Sequence, residues 1–105
     1  MQQQLRLIGE HGDIGRLSDA EMNLCHDPSD ALQMTWHRRT RRHSLQDMAH
    51  KIGMDKGNLS RSLNGDITQV FRQLIKFERE CGVIGVTQFL ANQHGYILVP
   101  KRLVG

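Results

Sequence analysis

The sequence predicts an all-α fold: a five- or six-helix bundle that contains a helix-turn-helix and ends in a short strand or arm. Three observations carry this. Residues 44–65, SLQDMAHKIGMDKGNLSRSLNG, read as two short capped helices around a glycine corner. Apolar residues on either side recur at spacings of three and four, the period of a helix with one buried face. Beyond the first fifteen residues, β-branched and aromatic strand character is found at residues 96–99.

Within the central stretch, Ser44 is a good N-cap because its hydroxyl can accept from an unpaired first-turn amide. Asp47 follows three residues later, where a negative charge suits the positive helix end. Leu45, Met48, Ala49 and Ile52 make one apolar face, and the small Ala49 permits a close helix crossing. Gly53 stands where a helix end wants positive φ, and Met54 plugs the turn. Asp55 caps a second helix over residues 56–63, with Leu59 and Leu63 inward, and Asn64-Gly65 closes it.

The outer face of that second helix keeps Lys56, Gly57, Asn58, Arg61 and Ser62. It is slim, rich in donors and weakly cationic, a combination that fits a DNA major groove. The same pattern, short helix, glycine corner and second helix, also occurs in small bundles that never meet DNA.

At these residues the chain resembles the helix-turn-helix of the phage Cro and repressor superfamily. GMDKGNLSR is similar to the matching stretch of CII-type regulators of temperate phages, through Gly53, Asp55, Lys56, Ser60 and Arg61. Residues 71–95, ending within FLANQHGY, are similar to the tail of those regulators. The motif covers about a fifth of the chain and the wider likeness about two thirds. The resemblance implies a DNA-binding transcriptional regulator, an activator or repressor, with direct repeats as one operator arrangement. One position departs from it. The superfamily often has a phosphate-contacting Gln at the second motif position, and here that residue is Leu45.

Composition bounds the rest. A chain of 105 residues, 38% apolar with one Trp, one Tyr and three Phe, supports one small core. A homodimer or higher oligomer through residues 68–100 is therefore expected to contribute stability. The net charge is +3, unevenly spread. Residues 1–35 carry two basic and six acidic side chains, residues 36–61 seven and two, and residues 62–105 five and three. The positive field thus coincides with the motif, as on a nucleic-acid face. No apolar run nears the length of a membrane span, and MQQQLRLIGEHGD lacks a signal-peptide layout, so the expected location is the cytoplasm, associated with the nucleoid. Cys25 and Cys81 are read as reduced and buried or idle.

Residues 1–28 are expected to form a partly ordered acidic segment, with residues 29–100 the DNA-binding domain and residues 101–105 a tail. In residues 1–15, Leu5, Leu7 and Ile8 could form a strand or pack on a partner, and much of the stretch is expected to be irregular or mobile. Ser18 and Glu21 form a capping-box pattern, and Asp27-Pro28 ends that helix. The next helix is expected from residue 29 or 30 to about 42, with Ala31, Leu32 and Trp36 inward and Trp36 packed on the two motif helices. Arg38, Arg39, Arg41 and Arg42 then precede the motif and are candidates for DNA phosphate, together with Ser44, Ser60 and Asn64. A helix capped by Asp66 or Thr68 is expected to reach about Glu80, with Val70, Phe71, Leu74, Ile75 and Phe77 on a wide apolar face. A last helix is expected over residues 84–94, with Val86, Phe89 and Leu90 inward.

Six histidines and two cysteines form no CxxC or HxxxH pair, so no metal or other cofactor is expected. No glycine-rich phosphate loop or paired carboxylates appear, and an enzyme is not expected. The sequence therefore points to Lys56, Gly57, Asn58, Arg61 and Ser62 as base readers on a double-stranded operator. The competing reading is a protein-interaction module on the same fold: antitoxin-like, an anti-repressor or a replication accessory. Its surfaces would be the acidic N-terminal segment and the apolar arm at 96–99. RNA binding through HRRTRRH is a third reading, with few aromatics free for stacking.

Overall fold

The computed structural model describes residues 15–104, and the expectations for residues 1–14 lie outside them. Six α-helices follow in order among the described residues: α1 Asp19–Asn23, α2 Pro28–His37, α3 Leu45–Ile52, α4 Lys56–Leu63, α5 Leu74–Cys81 and α6 Gly85–Gln93. A 3-10 helix, Ile67–Gln73, joins α4 to α5, and a single 3-10 turn, Lys101–Leu103, lies near the end. The all-α bundle is as expected. Among the described residues there is no strand, and residues 96–100 run on without regular structure, so the arm and not the strand is formed.

Helix α2 lies at the centre and packs against α4, the 3-10 helix, α5 and, most extensively, α6. Its Ala31, Leu32 and Thr35 are fully buried. Asp27 caps it by accepting from the Asp30 amide, and Pro28 takes the first turn, where a missing N–H is harmless. The helix ends at His37, earlier than expected. The Arg39 guanidinium turns back onto the Trp36 carbonyl at 2.7 Å. The Thr40 amide donates to the Cys81 carbonyl at 2.7 Å. That long-range bond takes the amide away from the helix ladder.

The α2–α6 crossing is close because Gly85 has no side chain. A Cβ there would lie 2.1 Å from Thr35 Oγ1 and 3.0 Å from Leu17 Cδ1. Thr35 Oγ1 in turn donates to the Ala31 carbonyl at 2.7 Å. Gly82, which ends α5 with φ +78°, is crowded by Thr40 in the same way.

Residues 15–28 contribute three side chains to this core. Leu17, Met22 and Cys25 are buried with the residues of the later helices. The Gln88 side chain clamps Leu17, donating to its carbonyl at 2.9 Å and accepting from its amide at 2.8 Å. Gly15 forms a lone parallel bridge with Val83. The Ser18–Glu21 capping box forms as read, and the Ser18 amide holds the Glu21 carboxyl below its ordinary value.

The single helix expected after Gly65 is split. Ile67, Thr68 and Val70 are β-branched, and the Asp66 carboxylate ties down Thr68 and Gln69, so the chain tightens into 3-10 geometry before α5 begins. Val70 and Phe77 are buried and Leu74 is half-buried, but Phe71 and Ile75 face outward. Leu90 is also exposed, contrary to expectation. Both cysteines are free and buried, and burial pushes the Cys81 thiol up to about 12, so it stays protonated and unreactive at neutral pH.

Glu78 is a buried carboxylate that the sequence reading missed. It reaches from α5 to the start of α6, accepting from the Thr87 amide at 2.9 Å and the Thr87 hydroxyl at 2.6 Å. No side chain local to α6 caps that helix, so Glu78 supplies the cap across the core. Burial raises its carboxyl above the ordinary value, opposed by the Thr87 hydrogen bonds.

Two predictions follow from this packing. Gly85→Ala should lower stability by about 1–3 kcal/mol, because the α2–α6 backbones must part. An unchanged urea midpoint would contradict the close crossing. The second concerns pH. An acid whose value rises on folding holds its proton more tightly in the folded chain. Its contribution is full below the ordinary glutamate value and is lost as pH rises through the raised one. The stability of the native chain relative to Glu78→Gln should therefore fall across that window. Urea midpoints of both proteins from about pH 4 to about pH 8 test this, and a constant difference would contradict it.

Candidate nucleic-acid interface

Helices α3 and α4 are joined by residues 53–55. Ser44 Oγ accepts from the Asp47 amide at 3.1 Å, and Met48, Ala49 and Ile52 are buried. Gly53 adopts φ +74°, the left-handed conformation expected at that corner. The half-buried Met54 donates its amide to the Ala49 carbonyl at 2.9 Å. Asp55 then caps α4, one carboxylate oxygen accepting from the Gly57 and Asn58 amides at 2.9 and 3.2 Å.

The far end of α4 is held by α2. Gln33 Nε2 donates to the Leu63 carbonyl at 2.8 Å, and Ser29 Oγ to the Gly65 carbonyl at 2.9 Å. These satisfy carbonyls that a helix end leaves unpaired. They also fix α4 against the central helix.

Of the five residues expected on the outer face of α4, four are at the surface. Lys56 and Arg61 are exposed, and Gly57 and Asn58 are half-exposed. The Arg61 guanidinium donates to Asn58 Oδ1 and lies near Gly57, where an added Cβ would stand 3.7 Å from Nη1. That Cβ would also come within 2.9 Å of the Asp55 capping oxygen. Gly57 thus keeps both the cap and the arginine in place.

Ser62 is the exception. It is fully buried and donates to the Asn58 carbonyl at 3.0 Å, so it belongs to the core and reads nothing. It follows the buried Leu59 by three residues, which puts both on one helix face. Ser60 is half-exposed and Asn64 exposed; Asn64 Nδ2 donates to the Ser60 carbonyl at 2.9 Å.

The arginines before α3 divide into separate roles. Arg39, read as a phosphate contact, is half-buried and held against the fold. Its guanidinium lies flat on the Trp36 ring, 3.7 Å from the centroid, with Nε buried and without a hydrogen-bond partner. Trp36 in turn stacks on Phe77 of α5, ring centroids 6.2 Å apart. Trp36 packs against the core as expected, with its aromatic contact to α5. Arg38 pairs with Glu21 at 2.8 Å, and Arg41 lies 3.4 Å from Glu80, which also meets His43 at 3.1 Å. Both arginines remain largely exposed, so these pairs are weak and exchangeable. Arg42 is exposed and has no ion pair among the described residues. The loop bearing them is pinned through Thr40 to the end of α5.

The exposed cations of this region are therefore Arg38, Arg41, Arg42, Lys51, Lys56 and Arg61, against Asp47 and Asp55. Among the described residues no group of three or more His, Cys, Asp or Glu side chains is arranged to hold a metal ion, and no helix is long and apolar enough to cross a membrane. Compared with protein-family models, curated proteins and solved structures, the chain matches none.

The division between Arg39 and Arg42 is testable by stability alone. Arg39→Ala should cost about 1 kcal/mol by removing the cation–π stack and should alter Trp36 fluorescence. Arg42→Ala should stay within about 0.5 kcal/mol of the native chain. Equal losses would contradict the assignment.

Proposed function

We propose that the chain is a sequence-specific, DNA-binding transcriptional regulator of a phage or mobile element, acting without catalysis as a homodimer or higher oligomer in the cytoplasm. The observation that carries this reading is the surface of α4. A short helix, capped at its N-terminus by Asp55 and held at its C-terminus by α2, presents Lys56, Gly57, Asn58 and Arg61 outward. Gly57 keeps it slim enough to enter a major groove. The Arg61 guanidinium offers paired donors suited to a guanine edge. Asn58, whose Oδ1 accepts from Arg61, serves as its brace and as a further contact to an adjacent base.

Arg38, Arg41 and Arg42 would meet backbone phosphate beside this helix, with Ser44, Ser60 and Asn64 adding polar contacts. The exchangeable carboxylate partners of Arg38 and Arg41 suit that role, since a phosphate can replace them. Such contacts set register and give salt-dependent affinity without reading sequence. Oligomerisation is assigned to residues 68–100. A two-fold dimer would require a palindromic site, and a head-to-tail arrangement direct repeats.

The second reading, a protein-interaction module, is favoured by Leu45 at the position where the resembled superfamily often carries a phosphate-contacting Gln. It is also favoured by the exposed apolar arm with Tyr96, Ile97 and Val99.

Salt titrations of duplex binding separate the assigned roles. Arg42→Ala should weaken all sequences alike and reduce the slope of log affinity against log salt by about 1. Arg61→Ala should cost about 1–3 kcal/mol on a preferred site and much less on random duplex. An unchanged slope for Arg42→Ala, or equal losses on both duplexes for Arg61→Ala, would contradict the roles given.

A further inference from the structure

Two exposed apolar features of this chain carry opposite charge. The first is the outward side of the 3-10 helix and α5. Phe71 is 57% and Ile75 67% exposed. Arg72, Lys76 and Arg79 stand on the same side, all exposed and without ion pairs among the described residues. The spacing explains the sidedness: Val70, Leu74, Phe77, Glu78 and Cys81 turn inward, which leaves 71, 72, 75, 76 and 79 outward.

The second is the corner between α1 and α2. Leu24, which ends α1, is 66% exposed. Asp27 is exposed and Asp30 half-exposed beside Cys25, the residue that follows it. The buried Cys25 thiol records this crowding: its value is raised by burial first and then by Asp30, Asp27 and Glu21.

We propose that the chain associates head to tail, the cationic strip of Phe71 and Ile75 on one copy taking the acidic Leu24 corner of the next. Charge decides the pairing. Strip against strip would set three cations against three, and corner against corner would oppose carboxylates, so both symmetric contacts are repelled. Strip against corner joins Leu24 to Phe71 and Ile75 while Asp27 and Asp30 face the cations Arg72, Lys76 and Arg79. Such a contact is heterologous, so an open assembly keeps one free strip at one end and one free corner at the other. This deepens the self-association part of the proposed function and needs no DNA, so either can fail without the other.

The test uses the full chain, without DNA, in sedimentation and light scattering over a dilution series at about 0.15 M salt. Leu24→Lys removes the corner, and Phe71→Ser with Ile75→Ser removes the apolar part of the strip. The sites are exposed, and far-UV circular dichroism checks that the helices persist. Lys76→Glu changes the strip by charge alone and should also reduce association. The native chain should grow beyond a dimer with concentration, and the Leu24 and Phe71/Ile75 variants should each run as monomers. Their equimolar mixture should form a dimer and nothing larger, because one intact corner then meets one intact strip. A mixture that stays monomeric would overturn the proposal. So would a monomeric native chain, or a variant that assembles like the native protein.

Discussion

The close approach of α2 and α6 at Gly85 is the contact on which the rest of the structure depends. Thr35 and Leu17 occupy the space that any side chain at position 85 would need. With α6 seated there, Leu17 can be clamped by Gln88 and Glu78 can reach Thr87. The central helix then has its remaining sides free for α4, the 3-10 helix and α5. Small core, small residues at the crossing and polar clamps replace the large aromatic core that a chain with five aromatic side chains in all cannot build.

From that centre the candidate interface is held at both ends. Asp55 orders the first turn of α4, and Ser29 and Gln33 of α2 take up carbonyls at its close. The basic loop is fixed separately, through Thr40 to α5 and through Arg39 on Trp36. The tract HRRTRRH is thus divided. Arg39 stabilises the fold, and Arg38, Arg41 and Arg42 keep their charge at the surface.

What was legible in the sequence was local. Ser18, Ser44 and Asp55 each cap the helix they precede, because a cap needs only its own first turn. Gly53 marks a helix end for the same reason, with positive φ. What was not legible depended on distant partners. The end of α2 is set by Thr40 meeting Cys81, forty-one residues away. The pairing of Arg38 with Glu21 and of Arg41 with Glu80 also joins residues far apart in the sequence. Two misses did leave a signal. Ser62 follows Leu59 by three residues and precedes Leu63, so it shares their inward face. Glu78 follows Leu74 by four in a row that continues to Cys81, which marks a buried acid in need of a donor. The outward placing of Phe71 and Ile75 follows from the same periodicity, once the apolar run is seen to be wider than one face can bury.

The central claim is that the surface of α4 reads DNA sequence. The most direct measurement is selection of bound duplexes from a random pool by the purified chain at about physiological salt, followed by sequencing. The account predicts a recovered motif that weakens at defined base pairs when Arg61 is replaced by Ala. An unenriched pool, with binding that disappears as salt is raised, would contradict it.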